Sequence, residues 1–307
     1  MRRAVLFATP AALITFALLL AGCHGPGESQ SAEVDAALAR YVPADTLVLV
    51  QARLQGLDSL QASPVYQKYL VDRPVPLLDD FARGTGLDLR KDIAVLLVCS
   101  DGKQSACLAR GNFNPAVLEP KIIKQGAARF DYKGHRLLGN ETSAVVFVNS
   151  TTAMAGPTPF LRAILDRGGH SAPPVWLTAL VHTIPAASQI WVALSGRGLN
   201  LSFPRNSNFS NLNRIVGAIE SGVLYVDLRQ GINLTANGTC FTDGDARQIH
   251  DVLKGFIGMG RLSTPDNRPE MLRLYDSFQV NQNQKAIHIN ASIPPDLVDQ
   301  FFKLFMK

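Results

Sequence analysis

Apolar and polar positions fall into short alternating runs, punctuated by Gly and Pro. Residues 46–53 (TLVLVQAR) are β-branched and apolar and predict a strand. Ser63-Pro64 has the chemistry of a helix start, with Ser at the cap and Pro at the first turn, so a helix is expected over 65–71. A second helix is expected over 77–83, closed by Gly84 and Gly86. Residues 93–99 and 106–113 read as a hairpin about Asp101-Gly102. Asn114-Pro115 opens a helix to about Gln125. Strands follow at 129–133 and 144–149, with 151–155 a short continuation, and then a helix over 157–166.

The later chain repeats this succession. A helix at 175–184 makes the connection, then come a strand at 189–194, a helix at 211–218 and a hairpin of 223–229 with 232–241. Asp243 is placed to cap an amphipathic helix over 246–256, with Ile249, Val252, Leu253 and Phe256 on one face. A helix at 268–275, strands at 278–281 and 286–292, and a helix over 294–305 complete the pattern, preceded at the chain start by a short helix at 34–40. Each half thus reads strand, helix, hairpin, helix, two strands, helix. This predicts an α+β fold of two similar, ferredoxin-like-related units, each an antiparallel sheet with helices on one face. The boundaries expected are 1–22 for a leader, 23–40 for a tether and short helix, 41–170 for the first unit and 171–307 for the second.

The first 22 residues break the alternation. Met1-Arg2-Arg3 is followed by an almost wholly apolar run from Ala4 to Leu20, then by Leu20-Ala21-Gly22-Cys23. A charged start, an apolar stretch and small residues at a cleavage point are the layout of a signal peptide. A spanning helix would have minimal length, contain Pro10 and lack a basic flank. Leu20-Ala21-Gly22-Cys23 closely resembles the bacterial lipobox. That resemblance implies acylation of Cys23 and anchoring to the membrane by lipid alone. His24, where inner-membrane retention would show Asp, implies the periplasmic side of the outer membrane.

Charge adds little. Thirty basic against twenty-five acidic residues give +5, and losing Arg2 and Arg3 leaves twenty-eight against twenty-five, or +3. No basic run is interleaved with aromatics, so no nucleic-acid partner is expected. At 47% hydrophobic and 18% charged residues, the composition is that of a folded chain, neither disordered nor polytopic.

Four further segments, Val42-Pro43-Ala44-Asp45-Thr46, Gly84-Thr85-Gly86-Leu87-Asp88, Ala109-Arg110-Gly111-Asn112-Phe113 and Leu272-Arg273-Leu274-Tyr275-Asp276, resemble uncharacterised bacterial envelope lipoproteins of the Acidobacteria type. The Pro-Ala-Asp-Thr opening is similar to a wider domain of bacterial surface proteins. The resemblance implies a compartment and a fold, and carries over no catalytic residue.

Signals for catalysis are weak. The six histidines, His24, His135, His170, His182, His250 and His288, fall in no zinc-ligand frame, and no C-x-x-C occurs. Nucleophile-elbow, P-loop and dinucleotide-loop frames are missing. Asp243 and Asp245 flank Gly244 where a helix needs caps, without the later Glu of a calcium loop. Catalytic residues, metal and cofactor are therefore expected to be none. Seven N-x-S/T frames, at Asn140, Asn149, Asn200, Asn208, Asn233, Asn237 and Asn290, read as chance matches in polar loops and strand ends.

With Cys23 acylated, Cys99, Cys107 and Cys240 remain. An odd-numbered hairpin loop would place Cys99 opposite Cys107 and allow a disulfide. An even loop would place Ala106 there and turn Cys107 to the other face. Cys240 is expected to be a buried free thiol.

The favoured function is a lipid-anchored, non-catalytic binding or scaffold module, in contact with the membrane through its lipid and with a protein or envelope polymer through a sheet face or the cleft between halves. Two alternatives stay open, a periplasmic hydrolase with a dispersed site and a small-molecule-binding lipoprotein. An enzyme would show a buried polar constellation, a binding protein a cavity, and a scaffold an open apolar patch or strand edge.

Overall fold

The computed structural model describes residues 31–55, 63–68, 82–83, 86–196 and 217–305. The leader, Cys23, the expected helix at 211–218 except its last two residues, and most of that at 77–83 lie outside them.

One antiparallel sheet runs through both halves. Its strands are β1 (Val48–Arg53), β2 (Ile93–Ser100), β3 (Ser105–Gly111), β4 (Ala128–Tyr132), β5 (His135–Gly139), β6 (Ser143–Phe147), β7 (Thr152–Pro157), β8 (Ile190–Ser195), β9 (Ile219–Asp227), β10 (Ile232–Cys240), β11 (Phe278–Asn283) and β12 (Ala286–Ile293). Their order across the sheet is β11-β12-β10-β9-β8-β1-β2-β3-β7-β6-β5-β4. The halves meet where β1 pairs with β8, from Val48 opposite Leu194 to Ala52 opposite Ile190. Reading outward from that seam, both halves place first strand, hairpin, last strand, next-to-last strand. The first half adds β5 and β4 at its edge.

Two features of the expected units are corrected. In a ferredoxin-like split βαβ, another strand separates the two strands that flank the first helix. Here β1 and β2 are direct antiparallel neighbours, as are β8 and β9. Helices also lie on both faces of the sheet, although the polar face of β10 and β12 stays exposed. On one face lie α1 (Ala36–Ala39), α5 (Thr158–Asp166) and α6 (Val175–Val181), whose Leu38, Leu161, Ile164 and Leu177 pack with Leu49, Leu97, Leu108 and Trp191. On the other lie α2 (Pro64–Tyr66), α3 (Leu89–Asp92), α4 (Pro115–Lys124), α7 (Asp243–Leu262), α8 (Pro269–Asp276) and α9 (Val298–Phe305). Their contacts there include Leu118 with Ile93 and Ala109, Leu274 and Val298 with Ile232 and Ile293, and Ala246 and Ile249 with Val280 and Ile287. The cause is visible in β2, IAVLLVCS, a continuous apolar run with no polar face.

Local chemistry explains other departures. β5 begins after the tight turn Lys133-Gly134, whose φ values of 48° and 81° suit a two-residue hairpin turn, so 129–133 has a partner that composition did not suggest. α7 starts from a capping box between Thr242 and Asp245, so Thr242, not Asp243, is the cap. It runs past Phe256, where the pattern ended it, to Leu262. Gly260 has a packing reason, because a Cβ there would lie 2.3 Å from the Tyr275 ring.

Candidate functional site

A segment of five residues crosses the sheet before α1 and forms one wall of a cavity of about 1020 Å³. The backbone of this strap, residues 31–35, is held at three points. Ser31 bridges Pro185, and the Ala32 N–H donates to the Ile184 carbonyl at 2.7 Å. The third point is Gln51, a buried amide on β1. Its Oε1 accepts the Asp35 N–H at 2.8 Å and its Nε2 donates to the Glu33 carbonyl at 3.1 Å. A polar residue is tolerated under the strap because both ends of its amide are satisfied.

The floor comes from one row of the sheet. Val95 of β2 stands opposite Arg53 of β1 and opposite Arg110 of β3. The two arginines therefore flank one valine on the same face, with Cα atoms about 10 Å apart from the strand spacing. Gln51, Arg53, Val95, Arg110 and Ala186 line the cavity with the strap and Ala36.

The two guanidinium groups differ in their partners. Arg110 Nε donates to Asp35 Oδ2 at 2.7 Å. The other oxygen of that carboxylate accepts the Ala37 and Leu38 N–H groups and so caps α1. Arg53 Nη2 donates to the carbonyls of Ala186 and Ser188, the latter at 3.0 Å. Its Nε is buried without a hydrogen-bond partner, and no carboxylate among the described residues pairs with it. Burial lowers its proton affinity from the ordinary arginine value. The cavity lining thus holds the ion pair Arg110–Asp35, the exposed carboxylate of Glu33, and Arg53, a cation with no carboxylate in contact among the described residues.

Sequence reasoning missed this site. Gln51 and Arg53 fall within the apolar run read as a strand, and Arg110 within a resemblance motif, with no site assigned to them. The available signal was the alternation Leu49, Gln51, Arg53, which puts two polar groups on the same face as a core leucine.

The residues singled out from the sequence fall elsewhere. Cys23 lies outside the described residues. Ser100 pairs with Ser105, so the hairpin loop has four residues and is the even one. Cys99 stands opposite Ala106, Cys107 opposite Val98, and both thiols are free. The disulfide considered for them is thus not formed, because the two side chains leave opposite faces of the sheet. Burial pushes the Cys99 thiol up to about 12 and the Cys107 thiol up to about 11. Cys240 is also buried and free, and its thiol is raised by burial and by Asp245.

Asn140 and Asn149 make side-chain turns in loops, while Asn200 and Asn208 lie outside the described residues. Asn233, Asn237 and Asn290 stand within strands of one polar sheet face, bonded to Ser292, His288 and Thr235 respectively. Their frames follow from strand alternation rather than from loops. Among the described residues, no group of three or more His, Cys, Asp or Glu comes together. No described helix is long and apolar enough to cross a membrane. An apolar stripe of Val252, Phe256, Met259 and Leu262 is exposed along α7.

No protein-family model matches the chain. No curated protein matches it either. Among solved structures it is similar to crystal form III of TP0453, at 11% identity and a TM-score of 0.49, over 88% of this chain and 98% of that one. Crystal form I gives 11%, 0.47, 89% and 98%. Crystal form IV gives 11%, 0.46, 90% and 99%. A likeness at this level carries no functional information.

Proposed function

We propose that the chain is a lipid-anchored protein on the periplasmic side of the outer membrane that acts as a non-catalytic binding module, with the cavity under the strap as its ligand site. The observation that carries this reading is a cavity at the upper end of the usual ligand-pocket range, about 300–1,000 Å³, with polar groups converging on one wall. It favours a small-molecule ligand, or one end of a polymer, over a flat scaffold contact. The lipobox-like Leu20-Ala21-Gly22-Cys23 supports the anchor. Seven residues separate Cys23 from Ser31, and the eight steps between them span at most about 28 Å when extended, so the strap stays close to the acylated residue. The shared strand order of the two halves supports their descent from one repeated unit.

Two measurements test the reading. A Cys23→Ala variant grown with a clickable fatty acid should take up no label and leave the membrane fraction; retained label would refute the anchor. For the cavity, full-length protein is incubated with the low-mass fraction of an envelope extract and weighed by native mass spectrometry. The wild type should carry a discrete added mass that Ala36→Trp, a bulky change at an exposed cavity-lining position, removes. An adduct retained by that variant, or none on the wild type, would contradict the assignment.

A further inference from the structure

We infer that the strap cavity recognises a carboxylate, held by the guanidinium groups of Arg53 and Arg110 on either side of Val95, with the aliphatic body of the ligand against Val34, Ala36 and Ala186. This rests on the cavity being the ligand site and names what it takes.

Charge comes first. Two arginines and two carboxylates border the cavity, but they are not equivalent. Asp35 is consumed by Arg110 Nε and by the N-terminus of α1, and Glu33 is exposed, with only its carbonyl used by Gln51. The inner wall is left with one positive charge, on Arg53. One negative charge on the ligand balances it. A doubly charged phosphate would overshoot, and Glu33 at the rim would repel it more than a singly charged carboxylate.

Geometry comes second. Arg110 uses only Nε toward Asp35, so among the described residues its Nη1 and Nη2 have no partner. Arg53 uses only Nη2, and its Nη1 has none. Arg110 keeps its Nη1/Nη2 fork, which matches the two oxygens of a carboxylate, while Arg53 adds single bonds from Nη1, since both Nη2 hydrogens go to carbonyls. The carbonyls of Ala186 and Ser188 fix the direction of Arg53, and Asp35 fixes that of Arg110, so both cations are oriented before a ligand arrives.

Composition comes third. Val95 lies buried beneath the cations, and Val34, Ala36 and Ala186 supply the apolar part of a lining that is otherwise polar. These groups offer apolar contact to a short aliphatic chain and no donor to a sugar or phosphate ester.

The test titrates full-length, ¹⁵N-labelled protein with butyrate, with butyramide and with inorganic phosphate, following the arginine Nε–H and backbone N–H signals. Butyrate should shift Arg53, Arg110 and the strap to saturation. Butyramide, equal in shape and uncharged, should bind at least about tenfold more weakly, the factor expected for losing charge-assisted bonds. Phosphate at equal concentration should not displace butyrate. Arg53→Gln should weaken butyrate binding by about tenfold or more, and Arg53→Lys by less, since it keeps the charge. The comparison of butyrate with butyramide needs no variant, so loosening of the strap by Arg53→Gln does not confuse the result. Equal binding of acid and amide, or displacement by phosphate, would overturn the carboxylate while leaving the cavity as a ligand site. Shifts confined to residues outside the cavity would overturn the inference, and native mass spectrometry with Ala36→Trp judges the site independently.

Discussion

Replacing Gln51 with Leu should release the strap without unfolding the sheet. Gln51 is 2% exposed, and each end of its amide holds one backbone group of the strap. Leu has a similar volume, so the packing against Leu97 and Trp191 on the neighbouring strands is largely kept. The change removes two hydrogen bonds, each contributing about 0.5–1.5 kcal/mol net. The Asp35 N–H and the Glu33 carbonyl border the cavity and can turn to water once freed, so a further burial penalty is not added. The loss is therefore about 1–3 kcal/mol, concentrated in strap opening rather than global unfolding. Amide hydrogen exchange reads this directly. The Ala32 N–H, bonded to Ile184, should exchange roughly 5- to 150-fold faster, while Leu97 and Leu108 in the central strands change little. Unchanged exchange at Ala32 would show that Gln51 does not hold the strap. Equal acceleration at Ala32 and in β2 would show that the strap opens only when the whole sheet does.

Other parts of the molecule give sharper local tests. Because burial pushes Cys99 to about 12 and Cys107 to about 11, alkylation of native protein at pH 8 should run more than a hundredfold slower than for an ordinary thiol of pKa about 8.5, and unfolding should restore it; rapid native labelling would contradict the burial. Thr242→Ala removes the cap from the Asp245 N–H and should lower stability to urea by about 1 kcal/mol, with a smaller loss for Thr242→Ser. Burial raises the Asp227 carboxyl, but hydrogen bonds from the Arg229 side chain and backbone, the charge of Arg229 and a bond from Gln189 outweigh it and leave the group below its usual range. Its contribution to stability is thus full above the unfolded value of about 3.9 and lost as pH falls through the lower folded value, so Asp227→Asn should flatten that part of an acid-unfolding curve; an unchanged slope there would refute it.

Much of the fold was legible because strands and helix ends announce themselves locally. Residues 93–99 with 106–113 became β2 and β3, and Pro115, Pro157 and Asp243 lie at or beside helix starts. What was not legible depends on distant partners. The strand β5 (HRLLG) carries few apolar residues and is defined by pairing with β4 and β6. The stretch 151–155, read as a continuation, turns back as β7 to pair with both β6 and β3. α7 passes Gly255, Gly258 and Gly260 because Tyr275 of α8 packs at Gly260, a contact that no local window contains. The cavity was hidden for the same reason. Arg53 and Arg110 are 57 positions apart, and only the register through Val95 sets them side by side.

A ligand bound between the strap and the row Arg53–Val95–Arg110 would leave its footprint on both. Hydrogen–deuterium exchange of full-length protein, with and without the low-mass fraction of an envelope extract, tests it most directly. Protection is predicted for residues 31–36 and around Arg53, Arg110 and Ala186, with α7 unchanged. Protection along Val252, Phe256 and Met259 with none at the strap, or no protection anywhere, would contradict it.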